Sequence, residues 1–427
     1  MPVAERQSTY VAGFEAFRRS PEAGPDAVRG VREAAFARFL DRGFPTTRDE
    51  EWRFTNVAPI ADTTFERPVP PAPSRDVLAP ASFEEDAAAE IVVVNGRMSR
   101  GLSSLEALPR GVTVRNLRDH WQAADGQRPT PFTDLNLAFF EEGLLIEVAP
   151  RTVVRSPIHV LFVAVAGPTP ALVSPRLTVT AGEQSQVSII ESYVGSGDGV
   201  TFSNAVTEFR AGAGSVVNHV KIQRELPKAF HIAHTTARLD RSATLVSHAI
   251  SLGGRIARND IVAVLDGEGA ECTLNGLYIG DGETLLDTHT TIDHAKPHCP
   301  SHELYKGILD GRAKAVFNGK IIVRPDAQKT DAKQTNKALL LTDDAQINTK
   351  PQLEIFADDV KCTHGAAIGQ LDEDQLFYLR ARGISEIDAR NLLIHAFAND
   401  VLTSIRIEGV RQRALHWLEE KLRLPEA

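Results

Sequence analysis

The chain has 427 residues, 42% apolar and 24% charged, and its 47 Lys plus Arg against 56 Asp plus Glu leave a net charge of −9. That length allows two or three domains with enough buried surface to need no covalent staples. The acidic balance argues against nucleic acid as the main partner, and three cysteines do not make a disulfide framework.

The first nineteen residues are charged throughout and contain no apolar stretch of the kind a secretory signal needs. The longest apolar run, Ile158 to Ala166, is too short to span a bilayer and carries His159. The expectation is a cytoplasmic protein that binds neither membrane nor nucleic acid.

In chain order, residues 1–90 read as a helical region with a proline-rich linker. Val28, Val31, Ala35 and Phe39 recur at helical spacing, with Phe36 and Leu40 widening the stripe. Gly43 and Pro45 stop that helix. The segment Asp49-Glu50-Glu51-Trp52-Arg53-Phe54-Thr55-Asn56 is predicted to start a short helix with its aromatics packed inward. Five prolines between 67 and 80 predict an extended linker.

Residues 91–370 read as β-structure. Short Val/Ile/Thr-rich runs begin at Ile91, and a loose turn repeat starts at 181, 211, 239, 265, 309 and 341, in steps of 30, 28, 26, 44 and 32 residues. Strand units at such a period predict a stacked solenoid, with a sandwich or barrel as the alternative. No helical pattern interrupts 140–360, which disfavours sheets built with crossover helices.

Residues 371–427 read as helical again. Asp372 to Arg382 forms a first helix, ended by Gly383. Ser385 is the predicted N-cap of a second helix, with a buried stripe of Leu392, Leu393, Ala396, Phe397 and Val401. A third helix carries Leu415, Leu418 and Leu422.

Several chemistries are missing from the sequence. There is no phosphate-cradling G-x-x-x-x-G-K-[ST] loop, so ATP is not expected on this chain. There is also no G-x-S-x-G elbow, no H-E-x-x-H and no C-x-x-C. His289, His294, His298 and His302 crowd together with Asp287, Asp293, Cys299 and Glu303, but at no standard metal-ligand spacing, and the plain reading is a polar loop around Pro297 and Pro300. Cys362 and His364 are the sharper pair. On a strand, residues two apart point to one face, so a thiolate and an imidazole would converge on one iron or iron–sulfur cluster. Two ligands cannot hold a cluster, so a partner would have to supply the others. The competing reading makes Cys362 a small core residue.

Lys361 to Gly383 resembles the most distinctive block of the SufB/SufD family of iron–sulfur cluster assembly proteins. In order before it, His294 with Pro297 and Ser301, the run Tyr305–Val323, Ala327–Asn336, Thr349–Cys362 and the segment 50–56 resemble further blocks of that family. Gly365-Ala366 follow His364 where the SufB branch usually has a glutamate, so the likeness is to the SufD branch.

The resemblance implies a right-handed parallel β-helix flanked by N- and C-terminal helical domains. It implies a non-enzymatic scaffold subunit that pairs with SufB and docks the ATPase SufC on its C-terminal helices. Cys362 and His364 would then lie at the SufB interface, contributing to a transient cluster or iron shared with SufB. Complexes of the family associate with reduced flavin, although no flavin motif is visible here, and a homodimer is an option for the isolated chain. Two other readings are a polysaccharide-active β-helix enzyme and a stand-alone metal-binding protein using the 289–302 histidines. The absence of a signal peptide counts against the enzyme.

Overall fold

The computed structural model describes residues 3–68, 73–122 and 129–422. Its centre is a parallel β-solenoid made of two long sheets. One runs from the strand Ala89–Val94 through Ile158–Val165, Gln186–Ser196 and four further strands to Asp331–Leu340 and Lys361–Gly369. The other runs from Leu144–Val148 through Arg176–Ala181 and Thr201–Ala211 to Lys314–Val323 and Gln346–Ile355. The chain alternates between the sheets, so each strand pairs in parallel with the strand two further on, from Gln186–Ser196 onward without a slip in register. Antiparallel strand pairs occur only near the beginning, at Val93–Met98 and at Val112–Val148, with an isolated antiparallel bridge between Glu90 and Ser104, among the described residues.

The turn repeat predicted from sequence is stacked, but at two corners rather than one. Backbone N–H groups of Gly212, Asp240 and Asp266 donate to the carbonyls of Ala181, Ala211 and Leu239, one rung below. That corner continues through Ala295 onto Leu265 and Arg324 onto His294. The repeats at 309 and 341 belong to the opposite corner, where Asp310 donates to Gly280 and Leu341 to Leu309. The irregular step of 44 residues is this change of corner.

Inside the solenoid, alternate side chains from both sheets bury Val187, Val217, Leu245, Cys272, Phe209, Leu239, Leu265 and Phe317, each at most 2% exposed. The N-terminal helices Val3–Arg18 and Asp26–Arg42, with Pro131–Phe139, form an aromatic cluster of Phe14, Phe17, Phe36, Phe39 and Phe139 that packs on the outer face of the second sheet at Phe202, Phe230 and Ile232. Arg32, not Val31, completes the buried stripe of the second helix. Its guanidinium donates to the carbonyls of Ala23 and Phe140 and lies over the Phe140 ring, so its charge is spread over backbone acceptors and a π face.

Two local expectations are corrected. Of the two aromatics in the segment 50–56 only Trp52 packs, under the Arg258 guanidinium at 3.8 Å, whereas Phe54 is exposed. The proline-rich stretch is partly helical: Arg75–Leu78 forms a helical turn followed by a 3-10 turn at Ala79–Ala81, with Pro80 inside it. Proline is tolerated there because the first turn leaves its N–H unbonded anyway. Residues 69–72 of that stretch lie outside the described residues.

The C-terminal helices Glu373–Ala381, Glu386–Leu402 and Glu408–Leu422 close over the outer face of the first sheet. Successive rungs present Ile222, Ile250 and Leu277 there, and Ile394, Ala398, Val401, Leu402 and Trp417 cover them. The buried stripe is therefore displaced from the expected one. Leu392 and Ala396 face outward, because the helix turns its Ala389–Ile394–Ala398 side to the sheet. Lys306, 3% exposed in its side chain, fixes the docking by donating to Asp400 Oδ2 at 2.6 Å and to the Phe397 carbonyl at 2.7 Å. No helix among the described residues is long and apolar enough to cross a membrane.

Candidate metal site at the open end of the solenoid

Gln346–Ile355 and Lys361–Gly369 are the last strands of their sheets. Each is paired on one side only, so both backbones present unpaired N–H and C=O groups at the end of the solenoid. The side chains around them are largely exposed, including Ile355, Phe356 and Ile368 at 39%, 63% and 49%.

Cys362 and His364 stand on this terminal strand, and the register puts them on the inward face expected for residues two apart. Cys362 pairs with Ala332 and ends the column Val187, Val217, Leu245, Cys272, Ser301, Ala332. It is half-buried against Ala332, Ile321 and Leu353. His364 pairs with Gln334 at the end of the neighbouring column and is exposed. Burial, with the Asp331 carboxylate adding to it, pushes the Cys362 thiol up. The bare site is thus a thiol and an accessible imidazole, and a cation must displace the thiol proton to gain a thiolate ligand.

The other sulfurs and imidazoles do not join them. Cys272 and Cys299 are fully buried, and burial raises both thiols. All three cysteines are free. The histidines between 289 and 302 are dispersed. His289 lies on the outer face, between Glu51 at 3.2 Å and Asp287 at 3.1 Å. His294 is buried, with Nε2 3.0 Å from Ser301 Oγ. His298 sits in the turn with φ 60° and His302 is exposed. No three of the described His, Cys, Asp and Glu side chains form a group suited to a metal ion. Pro300 begins a strand rather than a loop.

A second exposed surface lies on the C-terminal helices. Phe377 and Tyr378 are 74% and 58% exposed, and Ile387 and Leu392 are at least half exposed. Leu376 turns inward instead.

Sequence reasoning missed the polar interior. Glu191, His219 and Lys221 are buried inside the solenoid at inward strand positions, with Glu191 Oε2 3.0 Å from His219 Nε2 and Lys221 donating to Asn259 Oδ1 at 3.0 Å. The available signal was ionisable residues standing where the strand alternation called for apolar ones.

An open-ended parallel β-solenoid with the N- and C-terminal helices of the chain packed on its outer faces and a thiol–imidazole pair on its last strand defines the structural class. Residues 4–160 match the SufBD protein N-terminal region, and residues 163–397 match the SufBD core domain of the SUF system for iron–sulfur cluster assembly. An iron–sulfur cluster assembly SufBD family protein of Synechocystis is 36% identical over 391 residues, covering 86% of this chain and 85% of that one. The iron–sulfur cluster assembly protein SufD of Escherichia coli is 31% identical over 425 residues, covering 98% and 97%. SufD of Bacillus subtilis is 26% identical over 297 residues, covering 68% and 67%. The chain belongs to the SufBD family of iron–sulfur cluster assembly proteins.

Proposed function

We propose that this chain is a cytoplasmic scaffold subunit without turnover of its own, which pairs with SufB through the open end of its solenoid and binds the ATPase SufC through its C-terminal helices. The observation that carries the reading is the placement of Cys362 and His364 on a terminal strand whose outer edge is unpaired. An unpaired edge is a template for strand addition from another chain. A partner strand laid along Lys361–Gly369 brings its own ligands beside the thiol and imidazole, which supplies what two ligands alone lack.

In this role Cys362 gives a thiolate and His364 an imidazole to iron or to a cluster that is cargo, passed on rather than kept. SufC fits the exposed Phe377–Tyr378 surface, since large aromatics left in water on a helix are typical of interface anchors. Homodimers of the isolated chain would use the same open edge, and SufB would displace them.

The pairing is tested by anaerobic capture of SufB on the tagged full chain. Ile368→Asp puts a charge on the exposed terminal strand and is expected to weaken capture by about tenfold while leaving the circular dichroism spectrum unchanged. Undiminished capture would place the SufB interface elsewhere.

A further inference from the structure

Glu303 lies inside the solenoid two rungs below His364. Leu274, Glu303, Gln334 and His364 are consecutive members of one inward column. Glu303 and Gln334 are 3% and 1% exposed, and Gln334 Nε2 donates to Glu303 Oε2 at 2.8 Å. The second oxygen of Glu303, the Gln334 amide oxygen and the Tyr305 hydroxyl have no hydrogen-bond partner among the described residues.

Among the described residues no cation faces this carboxyl. Around it stand Tyr305 on its own strand, Cys272 and Gln334 on the flanking strands, and the Thr290 hydroxyl from the opposite sheet. The other buried carboxyls of the described chain differ. Each has a guanidinium or imidazole nitrogen within 3.1 Å, as in Glu191–His219, Glu225–His231 and Asp287–Arg258. A buried carboxylate without a counter-charge is costly, so the group stays neutral unless a positive charge arrives nearby. Burial accordingly raises Glu303 to about 7, against the opposing pull of Thr290 and Gln334.

The open end is the place from which a positive charge can arrive. We propose that Glu303 is the charge-compensating group of the Cys362–His364 site, its protonated form favoured while the site is empty and its ionised form favoured when a metal cation occupies it. The inference rests on the reading of Cys362 and His364 as ligands. It makes Glu303 a positioning residue, since it touches no ligand atom. On binding, the Cys362 S–H bond is replaced by a sulfur–metal bond and its proton passes to solvent; where Glu303 is still protonated its O–H bond breaks too, and that proton also passes to solvent. The cation favours the carboxylate, and the carboxylate strengthens binding of the cation by the same factor. Two strand spacings put the charges about 10 Å apart, where the coupling in a protein interior is about tenfold.

The test titrates the full chain anaerobically with cadmium and follows thiolate-to-cadmium absorption. Cys272 and Cys299 are fully buried, so the signal reports Cys362, and Cys362→Ser should abolish it. At about pH 8, Glu303→Gln is expected to bind cadmium about tenfold more weakly than the unmodified chain, with the gap closing toward about pH 6 as Glu303 protonates. Glu303→Asp should retain most of the coupling. If Glu303→Gln does not fold, the infrared carboxyl band of the unmodified chain decides the matter: its titration should move about one pH unit lower with cadmium present. Equal affinities at both pH values, or an unmoved band, would overturn the inference while leaving Cys362 a ligand. A signal that survives Cys362→Ser, or no signal in the unmodified chain, would overturn the ligand reading and the inference with it.

Discussion

Tyr305 lies across Gly276 on the adjacent rung, so close that a β-carbon at 276 would stand 2.1 Å from the ring. Tyr278 and Gly307 repeat the relationship two residues further along, with the order of strands exchanged. Each ring fills the space its neighbour's missing side chain leaves, and the inward face stays close-packed without widening the solenoid. Gly276→Ala is therefore expected to destabilise the fold by about 1–3 kcal/mol or more, because the clash is with a ring held on both sides. Denaturant unfolding measures it. Gly365→Ala, where a β-carbon meets nothing within 4 Å, is the control and should unfold within about 0.5 kcal/mol of the unmodified chain.

The N-terminal segment is fastened to the solenoid by a network whose pH dependence follows from its charges. Asp287 accepts from Arg258 at 2.8 Å and from Thr55 at 2.6 Å. Burial works to raise Asp287, but Arg258 and His289 outweigh it and hold the carboxyl at about 2. Burial likewise works against charge on His289, yet Asp287 and Glu51 hold it up at about 9. A raised imidazole stabilises the fold fully below its ordinary value of 6.5 and loses that contribution as pH rises through about 9. The depressed carboxyl contributes above 3.8 and loses its part as pH falls toward 2. Thermal melts should therefore show a decline between about pH 6.5 and pH 9 that His289→Gln flattens, while lowering stability at about pH 7. An identical decline in the variant would mean that another group than His289 sets it.

The proposed SufC surface is best tested at single positions. Because Ile394, Ala398, Val401 and Trp417 cover the outer face of the first sheet, deleting residues 385–427 would expose Ile222, Ile250 and Leu277 and confound lost binding with lost folding. Phe377→Ala and Tyr378→Ala avoid this, since both side chains are mostly in water. Each is expected to cost about 2 kcal/mol or more of SufC affinity by calorimetry, with no change in thermal midpoint. Unaltered SufC binding by the double variant would move the docking site off this helix.

Much of the architecture was legible because a solenoid repeats its own signal. The turns at 181, 211, 239 and 265 mark one corner in successive rungs. Cys362 and His364 were legible as a pair because strand periodicity alone puts residues two apart on one face. Three things were hidden. The corner change at 309 looked like an irregular period, since a turn's composition does not say which corner it serves. The outward facing of Leu392 and Phe54 depends on what the sheet leaves uncovered, which local pattern does not carry. The interior position of Glu303 was hidden because an acid among the polar residues of 287–303 reads as solvent-facing until the register shows it inside.

The proposed scaffold role depends most on Cys362 and His364, and their substitution separates ligation from packing. Cys362 is only half-buried, so Cys362→Ala should cost about 1 kcal/mol of stability or less, and His364→Ala, on the exposed edge strand, should cost little. The deciding quantity is iron and sulfide content after anaerobic reconstitution of the complex with SufB and SufC, comparing the unmodified chain with Cys362→Ala, His364→Ala and the double variant. Every variant is expected to assemble the complex, and the double variant to carry far less iron and sulfide. A complex of the double variant that holds iron and sulfide at the unmodified level would rule out the ligand role of both residues.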